Sequence, residues 1–170
     1  REIINFYCMI SKFKWSFSAL VLIVTLSSCK KDKYGDADII SSNELVLNNW
    51  VQLYNDGVNY EHQASVSWDA INQAAVDKGA LTGYLKDAGV WVALPYGYAD
   101  EDFGVNINFM FSSGNIKVNA SGYSFTGSVP ASTFNGYAVR FVLVTPNVKA
   151  ANPDVDWSNY EMVSARFGLK

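Results

Sequence analysis

One histidine and two cysteines limit the chemistry open to this chain of 170 residues. A Ser-His-Asp or Cys-His site would have to use His62, since such sites need an imidazole to take and return a proton. His62 lies between Tyr60 and Ala64 on the apolar side of an alternating run, with no nucleophile motif beside it. We read it as a packed core residue. Asp100-Glu101-Asp102 could offer loop oxygens to calcium, but adjacent carboxylates rarely converge on one ion and an acidic turn tip is the simpler reading. Asp154 and Asp156 follow Asn152-Pro153 at the spacing of a calcium loop, yet Trp157 stands where such a loop needs glycine and no glutamate closes it. Asp156 therefore reads as a cap for the C-terminal helix or its entry turn. A glycosidase needs two carboxylates across a cleft, and nothing in the sequence pairs them. We assign no catalytic residue, no metal and no cofactor.

Aromatic residues are the more suggestive feature. Trp91-Val92-Ala93-Leu94-Pro95-Tyr96-Gly97-Tyr98 places Trp91, Ala93 and Pro95 on one face of a strand and Val92, Leu94 and Tyr96 on the other. One face must be core. If the other is open, Trp91, Tyr96 and Tyr98 are candidate ligand-binding residues, because such rings are apolar on the face and carry a polar group at the edge. A core role for Trp91 competes with this, as it does for Trp50, Trp68 and Trp157. Arg140 stands alone on an apolar strand and would pair with a carboxylate in a groove or serve as an edge or buried-pair arginine.

Cys29 has the most specific surroundings. Arg1, Lys12 and Lys14 precede an apolar run from Phe17 to Leu26, about ten residues, which suits a signal peptide and is about half of what a membrane span needs. Leu26-Ser27-Ser28-Cys29 resembles the bacterial lipobox. Small residues there let an extended backbone enter a narrow peptidase site, and the cysteine thiolate takes the diacylglycerol. The expectation is a signal peptide over 1–28 and lipid on Cys29. Cys8 would leave with the signal. An acylated Cys29 would exclude a disulfide, thiol catalysis and a Cys/His zinc site. Because the chain opens on Arg1 and not Met, residues upstream are expected to be missing or the start misplaced. Losing Arg1, Glu2, Lys12 and Lys14 takes the formal charge from −3 to −5. An acidic domain without a basic stripe argues against nucleic acid.

These side chains must be positioned by strands. Residues 29–44 are polar and aperiodic, a lipidated tether, with the Lys30, Lys31 and Lys33 cluster beside the lipid. A folded domain is expected over 45–170, where period-2 alternation dominates. Val58 to Trp68 alternates cleanly and is joined to a strand over Leu45 to Tyr54 by Asn55-Asp56-Gly57. Phe103 to Phe111 and the alternating stretch from Ile116 form a second hairpin. Ala80 to Lys86 and Val90 to Tyr98 pair around Asp87-Ala88-Gly89, Tyr123 to Val129 is a short edge strand, and Tyr137 to Thr145, apolar on both faces apart from Arg140, is central. Two short helices are expected: Ala70 to Lys78, capped by Asp69, and Asn159 to Phe167, opened by a capping box from Ser158 and stopped by Gly168. The fold class is mainly β, an antiparallel two-sheet sandwich, immunoglobulin-like in outline, with a jelly roll or open barrel as the alternative.

The run from Ile71-Asn72-Gln73 through Gly79 to Tyr84-Leu85, the Trp91 to Tyr96 strand, and the ending Tyr160-Glu161 to Arg166-Phe167-Gly168-Leu169 resemble a group of small uncharacterised lipoproteins from Bacteroidetes. In that group a short helix and glycine lead into a strand and then a Trp…Leu-Pro-Tyr strand; the likeness covers most of 45–170. It implies a lineage and a location, and no activity. Cys29-Lys30-Lys31-Asp32-Lys33 has one acid amid three lysines, which leaves cell surface against periplasmic face open. Lys30 in place of aspartate favours the outer membrane. The expected function is a lipid-anchored, non-enzymatic envelope protein that binds a glycan or an envelope protein. The alternatives are a structural or adhesive protein acting through exposed sheet edges and a hydrolase with an unrecognised carboxylate pair.

Overall fold

Alternating apolar and polar residues form strands that bury one face, and the two buried faces are packed on each other. The computed structural model describes residues 39–169; the segment read as a signal peptide, Cys29 and the first part of the segment read as a tether lie outside them. Ten strands follow in order: β1 (Ile39–Ser41), β2 (Leu45–Leu47), β3 (Val51–Asn55), β4 (Asn59–Ser67), β5 (Ala80–Asp87), β6 (Val90–Ala93), β7 (Tyr96–Ala99), β8 (Phe103–Ser112), β9 (Asn115–Ser124) and β10 (Tyr137–Val144). Among the described residues three α-helices accompany them, α1 (Gln73–Lys78), α2 (Pro146–Ala151) and α3 (Tyr160–Phe167), with a short 3-10 helix over Ala131–Phe134. Sheet I runs β1-β10-β5-β6, with β2 sharing the β1 side of β10; sheet II runs β3-β4-β9-β8-β7. Every pairing is antiparallel and neither sheet closes on itself. The protein is mainly β, a two-sheet antiparallel sandwich with short helices. No helix among the described residues is long and apolar enough to cross a membrane.

The inner faces meet over Phe141 of β10, Phe109 of β8 and bare Gly83 of β5. The two rings lie 5.3 Å apart edge to face, and a side chain on Gly83 would meet Phe109 at 2.8 Å. Ile107, Ile116, Val118, Val139 and Phe141 are fully enclosed, each stabilising the fold by roughly 1.5–3 kcal/mol of transfer free energy. Sheet I is covered on its outer face as well. Tyr84, Val142 and Val144 pack there against Val155, Tyr160 and Val163 of the C-terminal segment. This is why β10 is apolar on both faces.

Several local expectations are corrected, each for a physical reason. The run Leu45 to Tyr54 is two strands in different sheets. Trp50 turns inward at the switch, its ring 5.4 Å from Phe134, while Asn48 accepts a bond from Gly136 and Asn49 donates to the Ser65 carbonyl. Val90 to Tyr98 also divides. Pro95 has no N–H for a ladder, Leu94 donates to the Gly83 carbonyl at 2.8 Å, and the Leu94–Pro95 peptide is cis. The Tyr123 to Val129 strand is absent: β9 absorbs Tyr123 and Ser124, and the chain then leaves the sheet. Helix α1 starts at Gln73 because Asn72, not Asp69, accepts the Ala75 N–H. Asn159, not Ser158, caps α3, and left-handed Gly168 ends it as expected. Helix α2, capped by Thr145 with Pro146 in its first turn, was not anticipated. Strand β1 lies within the segment read as tether, held by Ile39–Val144 and Ile40–Leu143 pairing.

Candidate functional site: a tyrosine-lined cleft between the sheets

The inter-sheet space is not filled everywhere. At one end the sheets part over a cleft of about 430 Å³. Strand β7 is the edge of sheet II, and its register opposes Tyr96 to Ile107 and Tyr98 to Val105. Alternation along the strand then aims both tyrosines at the inner face. Sheet I supplies Leu85 and Asp87 from the end of β5 and Tyr137 from the start of β10, and Phe103 of β8 completes the aromatic wall. Asp87 is fixed by the turn that follows it: Ala88 (φ 47°) and Gly89 (φ 86°) both adopt positive φ, the geometry of a two-residue hairpin turn that matches strand twist.

Two tyrosine–aspartate pairs define the polar character. The Tyr96 hydroxyl donates to Asp87 at 2.8 Å and the Tyr98 hydroxyl donates to Asp100 at 2.8 Å. Each bond to a carboxylate raises its phenol above the ordinary tyrosine range, by stabilising the protonated form. Asp100 is correspondingly held below the usual carboxylate range by the Tyr98 hydroxyl and then by the Asp102 and Phe103 N–H groups. Burial raises the Tyr137 phenol, and the nearby Asp87 charge adds to that. Tyr98 remains 51 % exposed, so the cleft opens to water.

Trp91, grouped with these tyrosines in sequence, is placed elsewhere. It points to the outer face of sheet I, where its ring lies 5.6 Å from that of Tyr160. The Arg140 guanidinium sits 5.0 Å from the Trp91 ring and 5.1 Å from the Tyr160 ring, and Arg140 Nη1 donates to the Tyr160 hydroxyl. The slot between the two rings is thus filled by the protein's own cation. No carboxylate pairs with Arg140 among the described residues. Lys86 sits above the Trp91 ring at 5.5 Å and pairs with Glu44 at 2.9 Å. The structure brings Tyr96 and Tyr98 together and separates Trp91 from them by the thickness of a sheet.

The remaining candidates resolve as follows. His62 is fully buried, its Nε2 2.9 Å from the Val129 carbonyl and its ring stacked on Tyr60. Nε2 must carry the proton to make that bond, and Nδ1 has no partner among the described residues. Asp100 binds the N–H groups of its own turn, and Asp156 accepts from Ser158 in the turn entering α3. No three His, Cys, Asp or Glu side chains gather as a metal site among the described residues.

Sequence reasoning missed Tyr137, Asp87 and Phe103 as cleft residues. Asp87 reads as a turn residue, and Phe103 and Tyr137 read as core. Only the long-range pairing of Leu85 with Val139 brings β5 and β10 together here. The fold and cleft define an antiparallel β-sandwich with an aromatic, carboxylate-bearing opening between its sheets. Comparison with protein-family models, curated proteins and solved structures finds no match.

Proposed function

We propose that this chain is a non-enzymatic saccharide-binding module of the bacterial cell envelope, carried on a lipid at Cys29 in the outer membrane. The observation that carries the reading is the convergence of Tyr96, Tyr98, Tyr137 and Phe103 around one open cleft with Asp87 at its edge. Aromatic faces take up the apolar C–H faces of a sugar ring, and a carboxylate accepts from its hydroxyls. The site has a single carboxylate among its lining residues, whereas glycoside hydrolysis needs a facing pair. The likeness to Bacteroidetes lipoproteins and the lipobox-like Leu26 to Cys29 stretch support the location.

A second reading, an adhesive protein that joins copies of itself, rests on β3. This edge strand carries no charge and leaves Val51 and Leu53 exposed, whereas edges that resist association usually bear charges. A register shift between Gln52 and Tyr54 interrupts its pairing and blunts it as a template.

The test is calorimetric titration of the purified chain with a polysaccharide panel, repeated with Tyr96→Ala/Tyr98→Ala and with Trp91→Ala. The proposal expects binding that the double substitution weakens by at least about ten-fold, the effect of losing ring contacts of ~1–2 kcal/mol. Trp91→Ala should leave affinity unchanged. Binding lost in Trp91→Ala and kept in the tyrosine variant would overturn it. Self-association without saccharide binding would favour the second reading.

A further inference from the structure

The cleft's hydrogen-bonding groups are unequal in kind, and this bears on which saccharides fit. A phenol has one donor and its oxygen lone pairs. Tyr96 has given its donor to Asp87, and Tyr98 has given its own to Asp100. Both hydroxyls therefore face a ligand as acceptors. Asp87 is an acceptor through both oxygens, and only Oδ2 is engaged among the described residues. The one cation among the lining residues is Lys86, but its ammonium is turned to the outer face of sheet I, bonded to Glu44 and seated over Trp91. Tyr137 is the one hydroxyl of the three whose donor is uncommitted among the described residues. The opening thus presents three groups that can only accept against one that can also donate, with a negative charge that no lining cation neutralises among the described residues.

Resting on the saccharide reading of this cleft, we infer that it selects donor-rich saccharides, neutral sugars and free amino sugars, and rejects acidic ones such as uronic or sulfated sugars. A sugar hydroxyl or ammonium supplies the protons that Asp87, Tyr96 and Tyr98 lack. A ligand carboxylate would bring further acceptors and a like charge to Asp87, which is penalised wherever the two approach in a partly desolvated cleft.

The experiment titrates the purified full chain with three matched sets at one salt concentration: neutral gluco- and manno-oligosaccharides, deacetylated chitin oligomers, and oligogalacturonates. Asp87→Asn runs alongside. Asp87 sits at an exposed strand end, so the variant keeps the fold; unchanged far-UV circular dichroism checks this. The expected result is binding of a neutral or amino set with oligogalacturonate at least about ten-fold weaker, and a gap at least about five-fold smaller in Asp87→Asn, in line with removal of one close like-charge contact. Oligogalacturonate bound as tightly as the others, and lost in Tyr96→Ala, would overturn the selectivity while the cleft itself stood. Absence of binding by all three sets would overturn the saccharide reading, and the selectivity with it.

Discussion

Two aromatic clusters flank sheet I, and they differ in what occupies the space between their rings. On the inner side, Tyr96, Tyr98, Tyr137 and Phe103 surround a cleft that opens to solvent, with Asp87 at its edge. On the outer side, Trp91, Tyr160 and Tyr84 close around Arg140, under the C-terminal segment. Both sets combine ring faces with a charge. In the outer set the charge lies between the rings, so the cation–π contact is made within the fold and serves to hold α3 on the sheet. In the inner set the charge is tied to ring edges by hydrogen bonds, and the faces are left free. A count of aromatics does not separate a site from a clasp; the position of the charge relative to the ring faces does.

The contrast can be broken most forcefully at Tyr160. Tyr160→Ala removes a buried ring that touches Tyr84, Trp91 and Arg140 and should cost about 3–4 kcal/mol, read as a drop in the urea midpoint. Saccharide affinity of the fraction still folded should be unchanged. Alkaline titration tests how completely the fold encloses its buried phenols. Burial pushes the Tyr60 phenol up to about 12 and lifts Tyr84 higher still. A raised phenol favours the folded state while protonated, so this stability is complete below about pH 10, the unfolded value, and is lost as pH climbs through the folded values. Urea midpoints should be flat from neutral pH to about 9 and fall steeply beyond 10. A fall beginning near pH 8 would contradict the enclosure of these rings.

Trp91→Ala should cost about 2 kcal/mol, less than a fully buried tryptophan because the residue is only partly buried. Its saccharide affinity should match the parent. The smallest effect belongs to Tyr96→Phe, which keeps the ring and frees Asp87. Stability should change by less than about 1 kcal/mol, as for an exposed hydrogen bond, and affinity should fall far less than in Tyr96→Ala. A loss as large as that of Tyr96→Ala would mean that the hydroxyl, and not the ring face, holds the ligand.

The β-sandwich was largely legible in the chain. Period-2 alternation located β4, β8 and β9, and Asn55-Asp56-Gly57 located a hairpin whose Asp56 accepts the Val58 and Asn59 N–H groups. Apolar residues on both faces of β10 showed that it was central. Alternation carries no mark of where a chain passes from one sheet to the other, so the switches at Asn48–Trp50 and Leu94–Pro95 were hidden. The second of these matters most for the site. Read as one strand, Trp91 and Tyr96 fall on opposite faces; the crossing at Pro95 carries Tyr96 and Tyr98 to sheet II, while Trp91 stays behind on sheet I. Asp87 and Tyr137 could not be joined to the site from the sequence, because their meeting depends on pairing between residues more than fifty positions apart.

Amide chemical-shift mapping of the isotopically labelled chain, during titration with an oligosaccharide that binds, tests the central claim most directly. The account predicts that the largest shifts fall on Asp87, Tyr96, Tyr98 and Tyr137, with Trp91, Arg140 and Tyr160 unmoved. Shifts centred on Trp91 and Arg140, with the β7 tyrosines unmoved, would contradict it.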